Sequence, residues 1–189
     1  MIRHVVLIGL LSALPSSFVY AKDEASKGKA TKSETDNLPS KECTFVISGT
    51  DDMHYTMLVA GKEVKSPDFS LNIPKKCIDD PKGTSFTLNH VGIALKAAMG
   101  HNLIILETAN LDKVVLAGIS QQANDFIDPA TKNLILGHTK VIGGKESDSF
   151  KLPKNAFDPK KDYSFVCSFP GHAAVMKGKI VFVESAAKS

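Results

Sequence analysis

Cysteine, histidine and methionine follow one another at a fixed spacing near the C-terminus of the chain, as Cys167, His172 and Met176. The segments before Cys167 and after Met176 both have the pattern of β-strands, so a strand-to-strand loop can fold these three side chains back toward one point. Pro170-Gly171 supplies the turn that this requires. A thiolate, an imidazole and a thioether are soft to borderline donors, and together they suit copper in both of its oxidation states.

A trigonal copper site needs a second imidazole, and His101 is the candidate. Gly100 before it lets the backbone approach a metal closely. Asn102 after it can hydrogen-bond toward the Cys167 loop and hold its shape. A Cys–His pair alone is more often a buried thiol beside a loop histidine. The methionine at this spacing and the upstream Gly-His-Asn favour a copper site instead.

The first 21 residues have the pattern of a secretory signal peptide. Arg3 gives a positive start, Val5–Leu14 is a short apolar run, and small residues precede an expected cleavage before Lys22. The alternative is a membrane anchor, but a run this short, broken by Pro15, poorly matches a bilayer about 30 Å thick. We therefore expect export, with no membrane span after signal removal.

The chain contains three cysteines, Cys43, Cys77 and Cys167. An exported protein resides where disulfides persist, so an odd number leaves one thiol to be explained. That thiol must be buried, paired with another chain, or bound to a metal.

The charge and composition narrow the function classes. The formal net charge is only +3, and no run of lysines forms a basic stripe, so nucleic acid is not an expected partner. Residues 22–41 are charged and polar with almost nothing apolar, which predicts a disordered leader. The hydrophobic fraction of 43% supports a normal core in a single domain over residues 42–185.

Within this domain the patterns are mostly those of short β-strands separated by turn residues, which predicts a two-sheet sandwich. The predicted strands include Thr44–Ile47, Thr84–His90, Leu103–Leu106, Tyr163–Cys167 and Lys179–Val183. One stretch differs, because Leu111–Ile127 has partly helical spacing of its apolar residues. We predict a short helical insertion there, with Asp112 as a possible cap.

Five segments together resemble the azurin family of blue-copper cupredoxins: Cys43-Thr44-Phe45, Met99–Asn102, His138–Gly143, Cys167–His172 and Met176–Gly178. The resemblance covers about residues 42–183. It implies an all-β, cupredoxin-like Greek-key β-sandwich of about eight strands with a short helical insertion. Two departures are a longer segment between Cys43 and Cys77, near residues 59–67, and Leu103 where many family members carry tryptophan.

The resemblance also implies a role for each motif residue. His101, Cys167 and His172 would be the equatorial ligands of one type 1 copper ion, Met176 the long axial ligand, and the Gly100 carbonyl would lie opposite it. Cys43 and Cys77 would form the family disulfide. Asn102 and Phe169 would support the ligands, and Met99 and Pro170, with Phe169, would belong to an apolar docking patch. His90 is either a family histidine that titrates or a hydrogen-bonded core residue.

The function implied is single-electron transfer in the periplasm by cycling between Cu(II) and Cu(I), without enzymatic activity. The expected partners are c-type cytochromes, periplasmic reductases or peroxidases. Two alternatives remain at this point: copper storage or delivery with the same ligands, and a non-redox binding module that uses the leader and the long Cys43–Cys77 segment. A copper oxidase or nitrite reductase would need a further cluster of histidines, which the sequence does not show.

Overall fold

The structure of the chain is a computed structural model that describes residues 41–59 and 61–184. The predicted signal peptide and residues 22–40 of the predicted leader lie outside the described residues, as do residues 185–189. Ten strands occur in the described part: β1 (Thr44–Gly49), β2 (Tyr55–Val59), β3 (Lys62–Lys65), β4 (Ser70–Pro74), β5 (Thr84–His90), β6 (Ile104–Glu107), β7 (Ile135–His138), β8 (Ser147–Leu152), β9 (Tyr163–Val166) and β10 (Lys177–Val183). The two α-helices are α1 (Lys96–Met99) and α2 (Leu111–Gly118).

The strands form two five-stranded sheets, in the orders β3-β2-β1-β5-β8 and β4-β10-β9-β6-β7. One hydrophobic core contains residues of both sheets, among them Ile47, Phe86, Leu71 and Phe165. The predicted all-β sandwich with a short helix is therefore confirmed. The structure has ten strands rather than about eight, in part because the long segment between Cys43 and Cys77 forms an additional hairpin, β2–β3.

The burial of each strand follows from what covers its faces. In β5, the side chains of Phe86 and Leu88 are buried while the residues between them are half-buried, as expected when one face meets the core. The strands β6 and β9 are buried on both faces. Ile104, Leu106 and Val166 form a second apolar cluster with Val114 of α2 and Ile127, so α2 covers the outer face of this sheet. This explains the continuous apolar run at Leu103–Leu106.

The helical insertion is shorter than the sequence pattern predicts. The α-helix ends at Gly118, where an added Cβ would lie 2.1 Å from the carbonyl oxygen of Phe126. The returning backbone therefore packs directly on the end of the helix, and 3-10 turns follow at Gln122–Asn124 and Pro129–Leu134. Asp112 lies in the first turn, and the capping position is Asn110. None of the helices described is both long and apolar enough to cross a membrane.

The disulfide is formed between Cys43 and Cys77, which are 34 residues apart in sequence. Closing a loop of this length stabilises the folded state by about 3–4 kcal/mol on the loop-entropy model. The pairing leaves Cys167 as the free, buried thiol.

Candidate metal centre

The loop that carries Cys167 is folded back on itself by its own backbone. Cys167 follows directly after β9, and its N–H donates to the carbonyl of Met176 at 2.9 Å. The N–H of Met176 donates to the carbonyl of His172 at 2.8 Å. Gly171 adopts a φ of 86°, a left-handed conformation that glycine reaches without steric cost. The turn before His172 therefore depends on this glycine.

His101 is fixed through both its backbone and its ring. Its backbone exchanges two hydrogen bonds with Ile142, at 3.0 and 2.8 Å. Its Nε2 lies 2.9 Å from the carbonyl oxygen of Thr50, which can only accept, so Nε2 carries the proton and Nδ1 is left with its lone pair. Gly49 permits this placement, because an added Cβ there would lie 2.6 Å from Cδ2 of His101.

Three donor atoms converge in the interior. Nδ1 of His101 and Nδ1 of His172 are 3.1 Å apart, and Sγ of Cys167 is 3.7 Å from Nδ1 of His172. One ligand atom from each of these residues lies within 4.8 Å of the other two. His101 and Cys167 are fully buried, and His172 is 3% exposed. Two imidazole nitrogens and a sulfur that are all buried form a donor set that fits a copper ion.

Burial also controls the charge of these donors. It lowers the pKa of His101 to about 4, against a smaller opposite effect of the bond to Thr50. It lowers the pKa of His172 to about 4 as well, with a further contribution from the charge of His90. Burial raises the pKa of the Cys167 thiol to about 11, although the backbone N–H groups of Asn102 and Phe169 act in the opposite direction. Both imidazoles are therefore neutral at pH 7 and available as ligands.

Asn102 connects the two chain segments that supply the donors. Its Oδ1 accepts from the N–H of Ser168 at 2.9 Å, and its Nδ2 donates to Oγ of Ser168 and to the carbonyl of Asp125, each at 2.9 Å. The hydroxyl of Tyr55 donates to the backbone carbonyl of Asn102. The residues next to His101 and Cys167 are thus locked together by buried hydrogen bonds.

The other predicted site residues lie around this pocket. Met176 and Gly100 are buried. The ring of Phe169 packs on that of His172, with centroids 4.7 Å apart, and is half-buried. Met99 is also half-buried, and Pro170 is exposed.

His90 occupies the core and has a hydrogen-bond partner. It is 2% exposed, and its Nε2 lies 2.9 Å from Oδ1 of Asp51. Its ring centroid is 4.5 Å from that of His101, so it also contacts a candidate ligand.

Four residues at the site are not indicated by any sequence motif: Thr50, Asp51, Tyr55 and Asp125. Each is far from the ligand motifs along the chain, and each acts through a contact that no local spacing reveals. Asp125 illustrates this, because its carbonyl accepts from Asn102 while its carboxylate accepts from the N–H of Val141 at 2.9 Å. Asp125 has a positive φ of 55°.

The lowered pKa values of His101 and His172 predict how the free energy of unfolding of the metal-free protein depends on pH. Between about pH 4 and pH 6.5 the unfolded chain binds protons at His101 and His172 that the folded chain does not bind. The free energy of unfolding should therefore fall as the pH falls through this range, by up to about 1 kcal/mol per pH unit for each histidine. Urea unfolding at a series of pH values measures this dependence of the free energy of unfolding on pH. His101→Gln combined with His172→Gln should flatten the slope. An unchanged slope in the double variant would refute the prediction.

The chain is similar in sequence to known copper-binding proteins, which agrees with the three donor atoms that converge at this site. The family model described as copper binding proteins, plastocyanin/azurin family, matches residues 60–183. An azurin of Bordetella pertussis is 34% identical over 143 residues, covering 76% of this chain and 85% of that protein. An azurin of Alcaligenes faecalis is 33% identical over 138 residues, covering 73% of this chain and 96% of that protein. Outer membrane protein H.8 of Neisseria gonorrhoeae is 34% identical over 146 residues, covering 75% and 68% respectively.

A solved structure shows the same fold. The azurin Az-iso2 of Methylomonas sp. strain J superimposes with a TM-score of 0.62 and 26% sequence identity, covering 75% of this chain and 98% of that one. The chain therefore belongs to the plastocyanin/azurin family of copper-binding proteins, as an azurin-like cupredoxin.

Proposed function

We propose that this protein is a single-electron carrier that holds one type 1 copper ion. The groups that would hold it are Nδ1 of His101, Sγ of Cys167, Nδ1 of His172, the thioether of Met176 and the carbonyl of Gly100. The convergence of the first three donors within 4.8 Å in the interior carries this proposal. Copper bound there supplies a one-electron couple between Cu(II) and Cu(I).

The surrounding residues suit electron transfer because they hold the ligands still. Thr50 fixes the ring of His101, and Asn102 fixes the loop of Cys167. A site whose ligands barely move needs little reorganisation when the charge of the metal changes. The ligands are at most 3% exposed, which opposes the rapid metal release that a copper-delivery protein needs. Because its pKa is about 11, the Cys167 thiol stays protonated at neutral pH unless a metal cation binds its sulfur, and the proton would then be released to solvent.

An apolar surface above His172 would be the docking face for redox partners. His172 itself is only 3% exposed, and the half-buried ring of Phe169 packs on it. A partner would therefore contact Phe169, together with Met99 and Pro170, which the family resemblance places in the same patch. Leu95 extends this surface, since it is 78% exposed and lies one helical turn before Met99. An exposed apolar patch of this kind is typical of an interaction site. The partners would be c-type cytochromes, periplasmic reductases or peroxidases, reached after export by the segment 1–21. No organic substrate is transformed, so the protein would not be an enzyme.

The docking face is tested by Leu95→Asp, which places a charge on the surface without touching a proposed ligand. We expect the second-order rate constant for electron transfer to a c-type cytochrome to fall by about tenfold, because a desolvated apolar contact is lost. The visible absorption of the copper-loaded protein should stay the same. Stopped-flow mixing of the reduced protein with oxidised cytochrome measures the rate. Leu58→Asp, at a position 74% exposed on the hairpin β2–β3, is the matched control and should leave the rate unchanged. Equal rates for wild type and Leu95→Asp would rule out this face.

A further inference from the structure

The strands β1 and β2 separate soon after they meet. They pair only at Ser48 with Thr56 and at Gly49 with Tyr55. Beyond that point β1 remains paired with β5 and β2 remains paired with β3. Between the two diverging strands lies an open cavity of about 640 Å³, lined by residues of both strands and by Glu63. We call this cavity the β1–β2 slot.

Hydrogen bonds at the closed end show which backbone groups face the slot. The N–H of Tyr55 donates to Oγ of Ser66 and its carbonyl accepts from the N–H of Ser66, so Tyr55 turns its backbone groups away from β1. The carbonyl of Gly49 accepts from Val91, on the side of β5. The pair Gly49–Tyr55 is therefore the pair that exchanges no hydrogen bonds, and its neighbours Ser48 and Thr56 face each other.

The same alternation continues two residues further along each strand. The N–H and carbonyl groups of Val46 on β1 and Leu58 on β2 must point into the slot, where the described pairing of the two strands has already ended. The slot thus has strand donors and acceptors on both of its walls. Such edges are templates for the addition of another strand.

The slot is lined by four apolar side chains, three hydroxyl-bearing side chains and one charged side chain. Val46 is 49% exposed and Leu58 is 74% exposed at its rim, while Phe45 and Met57 pack against the core at its floor. Glu63 is the single charged residue among those lining the cavity. The free edge of β3, in contrast, carries Lys62 and Lys65, and lysines on an edge discourage strand pairing. The outer edge of this sheet, at β3, is therefore protected from strand pairing by lysines, whereas the slot is not.

We propose that the β1–β2 slot binds an extended peptide segment of another protein by strand addition. An extended backbone is the ligand that satisfies a row of strand donors and acceptors, which a compact small molecule cannot do. We expect the bound peptide to place small or apolar side chains beside Val46 and Leu58, and one basic side chain beside Glu63. None of the residues that line the slot is a proposed copper ligand, and binding of a peptide there requires no electron transfer.

The probe is a soluble, fluorescein-labelled heptapeptide of alternating threonine and valine with one central lysine. Fluorescence anisotropy with the copper-loaded protein should show saturable binding. Leu58→Lys and Val46→Lys should each weaken peptide binding at least tenfold. Each places a lysine at the slot, and lysine discourages strand pairing there as it does at the edge of β3. Val181→Lys, at a strand position 41% exposed on the other sheet, is the matched control and should bind like wild type. The same peptide with N-methylated backbone nitrogens should lose binding, since it keeps the side chains but not the donors.

Each other result overturns the proposal. Absence of binding at millimolar peptide would do so, as would equal binding by the N-methylated peptide or by Leu58→Lys. A wild-type dimer that Leu58→Lys converts to a monomer would make a second copy of the chain the occupant. Binding that appears only after deletion of residues 22–40 would make the leader the occupant. The visible absorption of each variant is recorded in parallel, so a failure here is distinguishable from a failure of the copper site.

Discussion

Asn102→Leu is expected to weaken copper binding by about 10- to 100-fold, the usual effect of losing a group that orients metal ligands. Asn102 is fully buried, and leucine has the same number and branching of side-chain heavy atoms but no polar atoms. The substitution leaves the N–H of Ser168 and the carbonyl of Asp125 without their partner. Each buried polar group left unpaired costs about 1–3 kcal/mol, so the free energy of unfolding should fall by roughly 3 kcal/mol.

Copper affinity is measured by competition with a chelator, and stability by urea unfolding of the metal-free protein. Asn72→Leu, at an exposed position on β4, is the control and should change neither quantity by a significant amount. If Asn102→Leu bound copper as tightly as wild type, the loop of Cys167 would be positioned by some other contact.

Phe165→Ala is expected to lower the free energy of unfolding by about 3–5 kcal/mol, the range for removing a fully buried aromatic ring. The ring of Phe165 has no exposed surface. Its centroid lies 5.7 Å from that of Tyr55 and 5.2 Å from that of Phe69. Gly178 packs so closely on the ring that an added Cβ would lie 2.2 Å from Cζ. Tight packing on several sides prevents the neighbours from closing the cavity.

Chemical denaturation of the metal-free protein measures this loss. Phe182→Ala removes the same ring from a half-buried position on β10 and should cost less than half as much. A loss below about 1 kcal/mol for Phe165→Ala would mean that the core relaxes around the cavity, contrary to this packing.

A strand can be predicted from the sequence where the alternation of apolar and polar residues within it is clear. The alternation in Thr84–His90 defines β5, whose bounds coincide with the predicted segment. The loop from Cys167 to Met176 was equally predictable, because its donors and its turn lie within ten residues. The second histidine of the proposed site, His101, lies outside this loop and is indicated only by the motif Gly100-His101-Asn102.

Contacts between distant segments could not be predicted in this way. The helical pattern continues to Ile127, yet the α-helix ends at Gly118 because the returning backbone packs there. The bond from His101 to Thr50 joins residues 51 positions apart, and that from Tyr55 to Asn102 joins residues 47 apart. No spacing rule connects such pairs.

Visible absorption on adding Cu(II) to the metal-free protein tests the central proposal most directly. We expect an intense charge-transfer band from thiolate to copper that saturates at one ion per chain. Cys167→Ser, which replaces the sulfur donor with a hydroxyl, should remove the band while the protein stays folded. No band in wild-type protein with an intact disulfide, or an equal band in Cys167→Ser, would contradict a blue-copper centre at His101, Cys167 and His172.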